Sequence, residues 1–197
     1  MPLDRRNDID NVFAAHLDLL ERVRGELAGK ILEAAQMWVR AFRAGHRLLL
    51  FGNGGSASDA LHIEGELANR FCRDRRGLPA LALGASLATL TAAANDYAYG
   101  EVFARLVETY GGPGDVAVGL STSGRSPNVV KGLERARELG LETMALTGEG
   151  GGTLAAQADL LIAVPSRDTA RIQEAHIVIG HILCGIVEEE LFGTQHG

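Results

Sequence analysis

The sequence predicts a doubly wound α/β domain with a helical extension before its first strand. Five short apolar segments, at 47–51, 78–83, 116–120, 142–146 and 160–164, alternate with stretches of helical period. Glycine-rich turns join these segments, and only 5% of the residues are aromatic. We therefore expect one domain over residues 1–197, in which helices at about 8–44 precede an α/β core at 45–192.

The N-terminal segment at about 8–44 repeats apolar residues at helical spacing. Gly25 and Gly29 interrupt this segment and predict a break between two helices. Helices placed before the first strand of an α/β sheet often keep an uncovered apolar face, and monomers seldom expose so large a patch. We expect a second subunit to cover this face.

Further helices are predicted at about 87–93, 101–110, 127–139 and 171–191. Between the first two, Asn95, Asp96 and Tyr97 break the apolar pattern, and the sequence leaves open whether they form a turn or part of a site. The last helix is strongly apolar apart from a few polar positions, among them Gln173, His176 and His181, and its acidic end. A single histidine on an apolar helix is more often a core residue than a ligand, so we expect His176 in the core.

Composition excludes several classes of function. The net charge of −6 argues against broad nucleic-acid binding, which requires clustered lysine and arginine. A local basic run at 70–76 is expected to be a solvated loop or an interface. No apolar run approaches the roughly 18 residues of a membrane span, and the first ten residues lack the apolar stretch of a secretory signal. We therefore expect a cytoplasmic protein, with Cys72 and Cys184 as reduced thiols.

The first candidate site follows the first predicted strand, in the segment RLLLFGNGGSASDALHIEGELANRF at 47–71. Its glycine-rich turn leads into a helix whose first amides lack partners, and such a turn suits a polar or anionic ligand. His62 and Glu66 lie four residues apart, so both project from one helix face. Each signal also has a plainer interpretation, as a simple turn and as a solvated surface pair. Their adjacency at the mouth of a strand-to-helix unit favours a site.

The second candidate site lies between a strand and a helix that begins near Pro127. Hydroxyls and free amides at the positive end of a helix dipole can bind phosphate without a P-loop lysine or a metal. The alternative is a loop that only caps its own helix, with Ser126 as N-cap. Four hydroxyls in six residues exceed what capping requires, which favours phosphate: Ser121, Thr122, Ser123 and Ser126.

Five segments together resemble a known family in order and spacing: GNGGSASDALHIEGELANRF, LTAAANDYAYGEVFARLVE, GLSTSGRSPNVVKGLERARELGL, ALTGEGGG and VPSRDTARIQEAHIVIGHILCGIVE. From about residue 10 to 192 the chain resembles the phosphoheptose isomerases of the sugar isomerase (SIS) domain superfamily. The resemblance implies a five-stranded parallel sheet flanked by helices, a flavodoxin-like three-layer sandwich. It also implies a homotetramer with active sites at subunit interfaces.

The implied reaction converts D-sedoheptulose 7-phosphate to D-glycero-D-manno-heptose 7-phosphate through an enediol. This is the first step toward ADP- or GDP-heptose for bacterial surface glycans such as lipopolysaccharide. Glu66 and His181 match the family's catalytic pair. A zinc site seen in family members, with one Zn²⁺ per subunit, matches His62, Glu66, Gln173 and His181. The residues that match substrate-binding positions are Asn53, Gly54, Gly55, Ser56, Glu66, Asn95, Asp96, Ser121, Thr122, Ser123, Ser126 and Gln173.

The chemistry leaves the role of zinc open. Moving a proton between C1 and C2 needs a base over one carbon and an acid near the oxygens, which suits Glu66 and His181. Zinc could instead polarise the carbonyl as a Lewis acid, although a glutamate bonded to zinc is a poorer base. One position departs from the family pattern: Arg125 stands where asparagine is usual, and it either adds charge to the phosphate site or points to solvent.

Two other functions remain open at this point. A relative that binds the bacterial replication initiator is a non-catalytic SIS-domain protein, but it departs from the isomerase pattern at the carboxylate and at the final histidine. Both Glu66 and His181 are present here. The chain could also isomerise another phosphosugar or sense one as a regulatory SIS domain. Regulatory SIS domains are commonly fused to a helix-turn-helix, and this sequence shows none.

Overall fold

The computed structural model describes residues 5–193, which form a five-stranded parallel sheet flanked by helices. The strands are β1 (Leu48–Gly52), β2 (Ala80–Ala82), β3 (Val116–Ser121), β4 (Glu142–Thr147) and β5 (Leu160–Ala163). The helices are α1 (Arg6–Arg43), α2 (Gly55–Ala68), α3 (Leu87–Asp96), α4 (Val102–Tyr110), α5 (Pro127–Glu138) and α6 (Thr169–Phe192). Short 3₁₀ turns occupy Tyr99–Glu101 and Gly152–Ala156. The predicted fold class is confirmed.

The order of the strands determines where a ligand can bind. It runs β2-β1-β3-β4-β5, so the direction of winding reverses between β1 and β3. Doubly wound sheets bind their ligands in the crevice outside the carboxyl ends of the strands at this reversal. Along β1, Leu48 and Leu50 belong to the core formed with α1, α2 and α6. Leu49 and Phe51 point to the opposite face and pack with α4 and α5.

The predicted break in the N-terminal segment is wrong, because α1 is one continuous helix of 38 residues. Gly25 and Gly29 lie on its exposed side, where an added Cβ would meet nothing. A helical glycine costs roughly 1 kcal/mol relative to alanine. The buried stripe of α1 packs against α6 on both sides of the glycines and offsets that cost; it includes Leu19, Val23, Leu27 and Ile31.

A second difference concerns Asn95 and Asp96, which do not interrupt the helical pattern but form the last turn of α3. The helix begins at Ser86, whose hydroxyl accepts a hydrogen bond from the amide of Thr89 at 3.3 Å. Alanines at 92–94 then carry it forward, since alanine is the best helix former. Within the described residues, no helix is both long and apolar enough to cross a membrane.

Candidate active site

The turn between β1 and α2 requires glycine at two positions. A Cβ on Gly52 would lie 2.8 Å from the carbonyl oxygen of Leu120 in the neighbouring strand β3. Gly54 has a φ of +57°, in the left-handed region that favours glycine. Together they allow the chain to turn sharply at the end of β1 and begin α2 at Gly55. The first amides of α2 therefore lie at the carboxyl end of the sheet.

Asn53 is held in this turn by two residues that sequence reasoning missed. Its Nδ2 donates to Oδ1 of Asn128, and Nδ2 of Asn128 donates back to Oδ1 of Asn53, both at 2.8 Å. The amide of Val129 donates to Oδ1 of Asn128, which fixes the orientation of both side chains. The hydroxyl of Tyr99 also donates to Oδ1 of Asn53, at 2.8 Å. One N–H of Asn53 is left for a ligand.

The predicted phosphate loop follows β3, directly beside this turn. Ser121 is buried, and its Oγ lies 2.9 Å from Oγ of Ser126. Ser126 is the N-cap residue of α5, but its side chain makes no capping hydrogen bond. The loop is closed instead by the amide of Arg125, which donates to Oγ of Ser123 at 3.2 Å. Hydroxyls therefore cluster at the positive end of α5 without being used to cap it.

A cavity of about 380 Å³ opens beside the serine loop. Arg167 pairs there with Glu149, so its charge is balanced. The guanidinium of Arg125 has no partner among residues 5–193. The cavity therefore carries one uncompensated positive charge on a surface of hydroxyl groups; it is lined by Thr122, Ser123, Arg125, Glu149, Ser166 and Arg167.

The imidazoles and the carboxylate of the predicted catalytic and zinc sites meet between α2 and α6. Nε2 of His62 lies 2.8 Å from Nε2 of His181 and 3.3 Å from Oε1 of Glu66. One nitrogen or oxygen of each of the three side chains lies within 4.8 Å of the other two. A Cβ on Gly180 would be 2.8 Å from Ile63, so this glycine lets the helices approach closely enough for the histidines to meet.

Gln173, on α6, makes none of these contacts, and its side chain lies against the start of α2. Its side-chain amide packs directly over Gly55, where an added Cβ would collide with it. It makes no hydrogen bond within the described part of the chain. The structure therefore groups His62, Glu66 and His181, and it leaves Gln173 beside the glycine turn, with an amide that can still turn toward a ligand.

The remaining candidates make no hydrogen bond to these groups among the described residues. Nδ2 of Asn95 donates to Oδ1 of Asp96 at 3.0 Å, and both residues are exposed. Ser56 is buried in the first turn of α2. His176 is fully buried, as predicted, and its Nε2 lies 3.1 Å from the carbonyl oxygen of Thr147.

Two residues near the imidazoles were also missed by sequence reasoning. Asp59 precedes His62 by one turn of α2, and its Oδ2 is buried without a hydrogen-bond partner among the described residues. Burial raises the pKa of Asp59 to about 6, while His62 acts to lower it. Phe71 stacks on His181, with ring centroids 5.7 Å apart. The basic run at 70–76 was expected to be a solvated loop or an interface; Arg70, Arg73 and Arg76 are exposed, but Arg75 is not solvated, because its side chain is only 3% exposed.

Comparisons with known proteins show which family the chain resembles. A model of the SIS domain family matches residues 12–148. A phosphoheptose isomerase of Geobacter sp. (strain M21) is 51% identical over 185 residues, covering 94% of this chain and 96% of the relative. The solved phosphoheptose isomerase of Neisseria gonorrhoeae has a TM-score of 0.89 at 35% identity, covering 93% of this chain and 98% of that one. That of Francisella tularensis has a TM-score of 0.91 at 34% identity, covering 95% and 100%. The chain therefore belongs to the SIS domain family and, within it, to the phosphoheptose isomerases.

Proposed function

We propose that this enzyme converts D-sedoheptulose 7-phosphate to D-glycero-D-manno-heptose 7-phosphate, as the first step toward nucleotide-activated heptose. The observation that carries the proposal is the convergence of Glu66 and His181, from two different helices, to within 4.8 Å of each other. A carboxylate and an imidazole at this separation suit a proton transfer between adjacent carbons. Membership among the phosphoheptose isomerases supports the choice of sugar.

The chain's own residues supply the steps of the reaction. The serine loop and the start of α5 hold the phosphate, which anchors one end of the open-chain sugar. Glu66 takes a proton from C1 of the ketose, and His181 protonates the oxygen at C2 to give the enediol. Returning the proton to C2 while the hydroxyl proton leaves O1 yields the aldose, so no atom is gained or lost. Asn53 offers its remaining N–H to a sugar hydroxyl.

The same side chains fit a zinc ion. Two imidazole nitrogens and one carboxylate oxygen form a common catalytic zinc ligand set, which leaves a position for substrate. His62, Glu66 and His181 would hold the ion, with Gln173 as the fourth ligand of the predicted set. A bound zinc would supply Lewis-acid polarisation of the substrate oxygens. We propose Zn²⁺ as the cofactor on this basis.

A homotetramer with sites at its subunit interfaces is part of the proposal. The first turns of α1 expose four large apolar side chains by half or more of their area: Ile9, Val12, Phe13 and Leu17. A partner subunit that covered them would remove an apolar surface seldom left in contact with water. The cytoplasmic location is likewise a prediction from the sequence.

Turnover of sedoheptulose 7-phosphate by purified protein tests the function. The assay is run on the protein as isolated, after chelation with metal analysis, and with zinc restored. We expect conversion that is lost on chelation and recovered with zinc. Activity that survives verified removal of zinc would show that the reaction does not require the metal. Glu66 and His181 would then catalyse it without zinc. No conversion under any condition would contradict the heptose assignment and favour another phosphosugar or a binding role.

A further inference from the structure

Arg75 and Glu188 form a buried ion pair beside the candidate active site. Nε of Arg75 lies 2.9 Å from Oε1 of Glu188, and each side chain is only 3% exposed. Glu188 also accepts hydrogen bonds from three successive backbone amides, those of Phe71, Cys72 and Arg73, at 3.2, 2.8 and 2.9 Å. Burial raises the pKa of Glu188, but these hydrogen bonds and the one from Arg75 lower it further than burial raises it. The carboxylate is therefore charged and fully bonded.

The other donors of Arg75 close the carboxyl end of α2. Nη2 donates to the carbonyl of Glu66 at 2.8 Å, and Nη1 donates to the carbonyl of Leu67 at 2.7 Å. Nη1 also reaches the carbonyl of Asn69 at 3.2 Å. The last carbonyls of a helix have no partner within the helix, so a single guanidinium satisfies several of them here. One of these carbonyls belongs to the proposed catalytic base.

The amides bound by Glu188 lead to the second catalytic side chain. Glu188 fixes the backbone of Phe71, and the Phe71 ring stacks on His181 at an interplanar angle of 22°. Glu188 itself lies on α6, two turns beyond His181. The ion pair is therefore linked to both members of the catalytic pair, through the backbone on one side and through an aromatic ring on the other.

We propose that Arg75 and Glu188 are positioning residues of the isomerase, which set the separation of the Glu66 carboxylate and the His181 imidazole. The inference rests on the proposed function, since it assigns a role relative to its acid and base. Stability alone does not explain the pair, because replacing a buried ion pair with apolar residues is often neutral. A role in positioning the catalytic groups does explain the pair, because small displacements of reacting groups reduce the rate strongly.

The test compares Arg75→Lys with Arg73→Lys. Arg73 is a matched control, because it lies in the same loop and pairs with Glu189 on the same helix, but its side chain is 44% exposed. Lysine keeps the charge of Arg75 but cannot reach Glu188 and the carbonyls of α2 together. We expect kcat of Arg75→Lys to fall about tenfold or more with KM within about twofold, whereas Arg73→Lys keeps wild-type values.

Kinetics are measured at a temperature where thermal melting shows each variant folded, so that lost stability is not read as lost catalysis. A folded Arg75→Lys with wild-type kcat would overturn the inference and leave the proposed function intact. An inactive wild type would overturn the function itself. If Arg75→Lys does not fold, Glu188→Gln decides, because it keeps the size of the Glu188 side chain and removes the charge that pairs with Arg75. A reduced kcat then supports the inference, and an unchanged kcat rejects it.

Discussion

Asn53 and Asn128 exchange two side-chain hydrogen bonds of 2.8 Å across the point where the sheet reverses its winding. The pair joins the turn after β1 to the first turn of α5, and so connects the glycine turn to the phosphate loop. Asn128 is only 2% exposed, so it depends on Asn53 to satisfy its amide. This one buried contact therefore fixes the position of the two loops relative to each other.

Asn53→Ala should destabilise the protein by about 1–3 kcal/mol, because it leaves a buried amide without its partner. Turnover should fall as well, since the remaining N–H of Asn53 is lost. Denaturant unfolding and steady-state kinetics measure the two effects. Tyr99→Phe is the comparison, because it removes one hydrogen bond to Asn53 and keeps the amide pair. Equal unfolding midpoints for wild type and Asn53→Ala would show that the pair does not hold the loops.

Glu66→Gln tests the proposed base. The side chain keeps its size but loses the ability to accept a proton, so kcat should fall by about a hundredfold or more. Glu64→Gln is the control, because it makes the same change on the same helix, two residues away. Near-normal turnover by Glu66→Gln would exclude this carboxylate as the base.

Ser123→Ala and Arg125→Asn test the phosphate loop. Each should raise KM for sedoheptulose 7-phosphate roughly tenfold or more, as expected for one hydrogen bond to a charged group. Neither should alter the melting temperature greatly, because both side chains are exposed. Competition by inorganic phosphate should weaken in parallel. If unphosphorylated sedoheptulose bound as tightly as the phosphate ester, the serine loop would not be the phosphate site.

The sequence was informative where one segment carries the whole signal. A glycine-rich turn after one apolar strand predicted the first loop, and a cluster of hydroxyls after another predicted the second; their neighbouring positions follow from the parallel sheet. Contacts between distant segments were not predictable in the same way. Nothing in the spacing of His62 and His181 indicates that they meet; the family resemblance implied it, and Gly180 allows it by letting two helices approach. The basic run at 70–76 was expected to be a solvated loop or an interface, and the burial of Arg75 is explained by distant Glu188 together with the last carbonyls of α2.

The continuous α1 illustrates why local signals fail. Gly25 and Gly29 are reliable breakers only where no packing opposes them, and here the buried stripe against α6 continues past both. The local prediction failed at Asn95 and Asp96 for a similar reason, because the alanines before them favour a helix long enough to include both. In each case the favourable energy comes from residues outside the short window on which the prediction depended.

Gly55→Ala should act through Gln173. The new methyl group would take the space of the Gln173 amide, whose flexible side chain can move away without unfolding the turn. We expect a small change in stability and a loss of turnover similar to that of Gln173→Ala. The double variant should be no worse than either single one, because both remove the same group. Additive losses in kcat/KM would show that Gly55 acts independently of Gln173.

His176 should make stability depend on pH. Burial lowers its pKa to about 4, although the hydrogen bond with Thr147 acts to raise it. The unfolded chain, with an ordinary pKa near 6.5, therefore binds a proton between pH 6.5 and 4 that the folded protein does not. The contribution of His176 to the free energy of unfolding is therefore fully present above about pH 6.5 and is lost as the pH falls toward 4.

Between pH 7 and 4.5 this contribution is roughly 2 kcal/mol for a single buried histidine. His176→Asn and His176→Leu should each be less stable than wild type at pH 7, since both disturb a fully buried position. Their free energies of unfolding should fall less than that of wild type as the pH drops to 4.5. Titrations of the other groups cancel in the difference between proteins. Parallel curves for wild type and both variants would mean that His176 takes up its proton equally well in the folded and unfolded states.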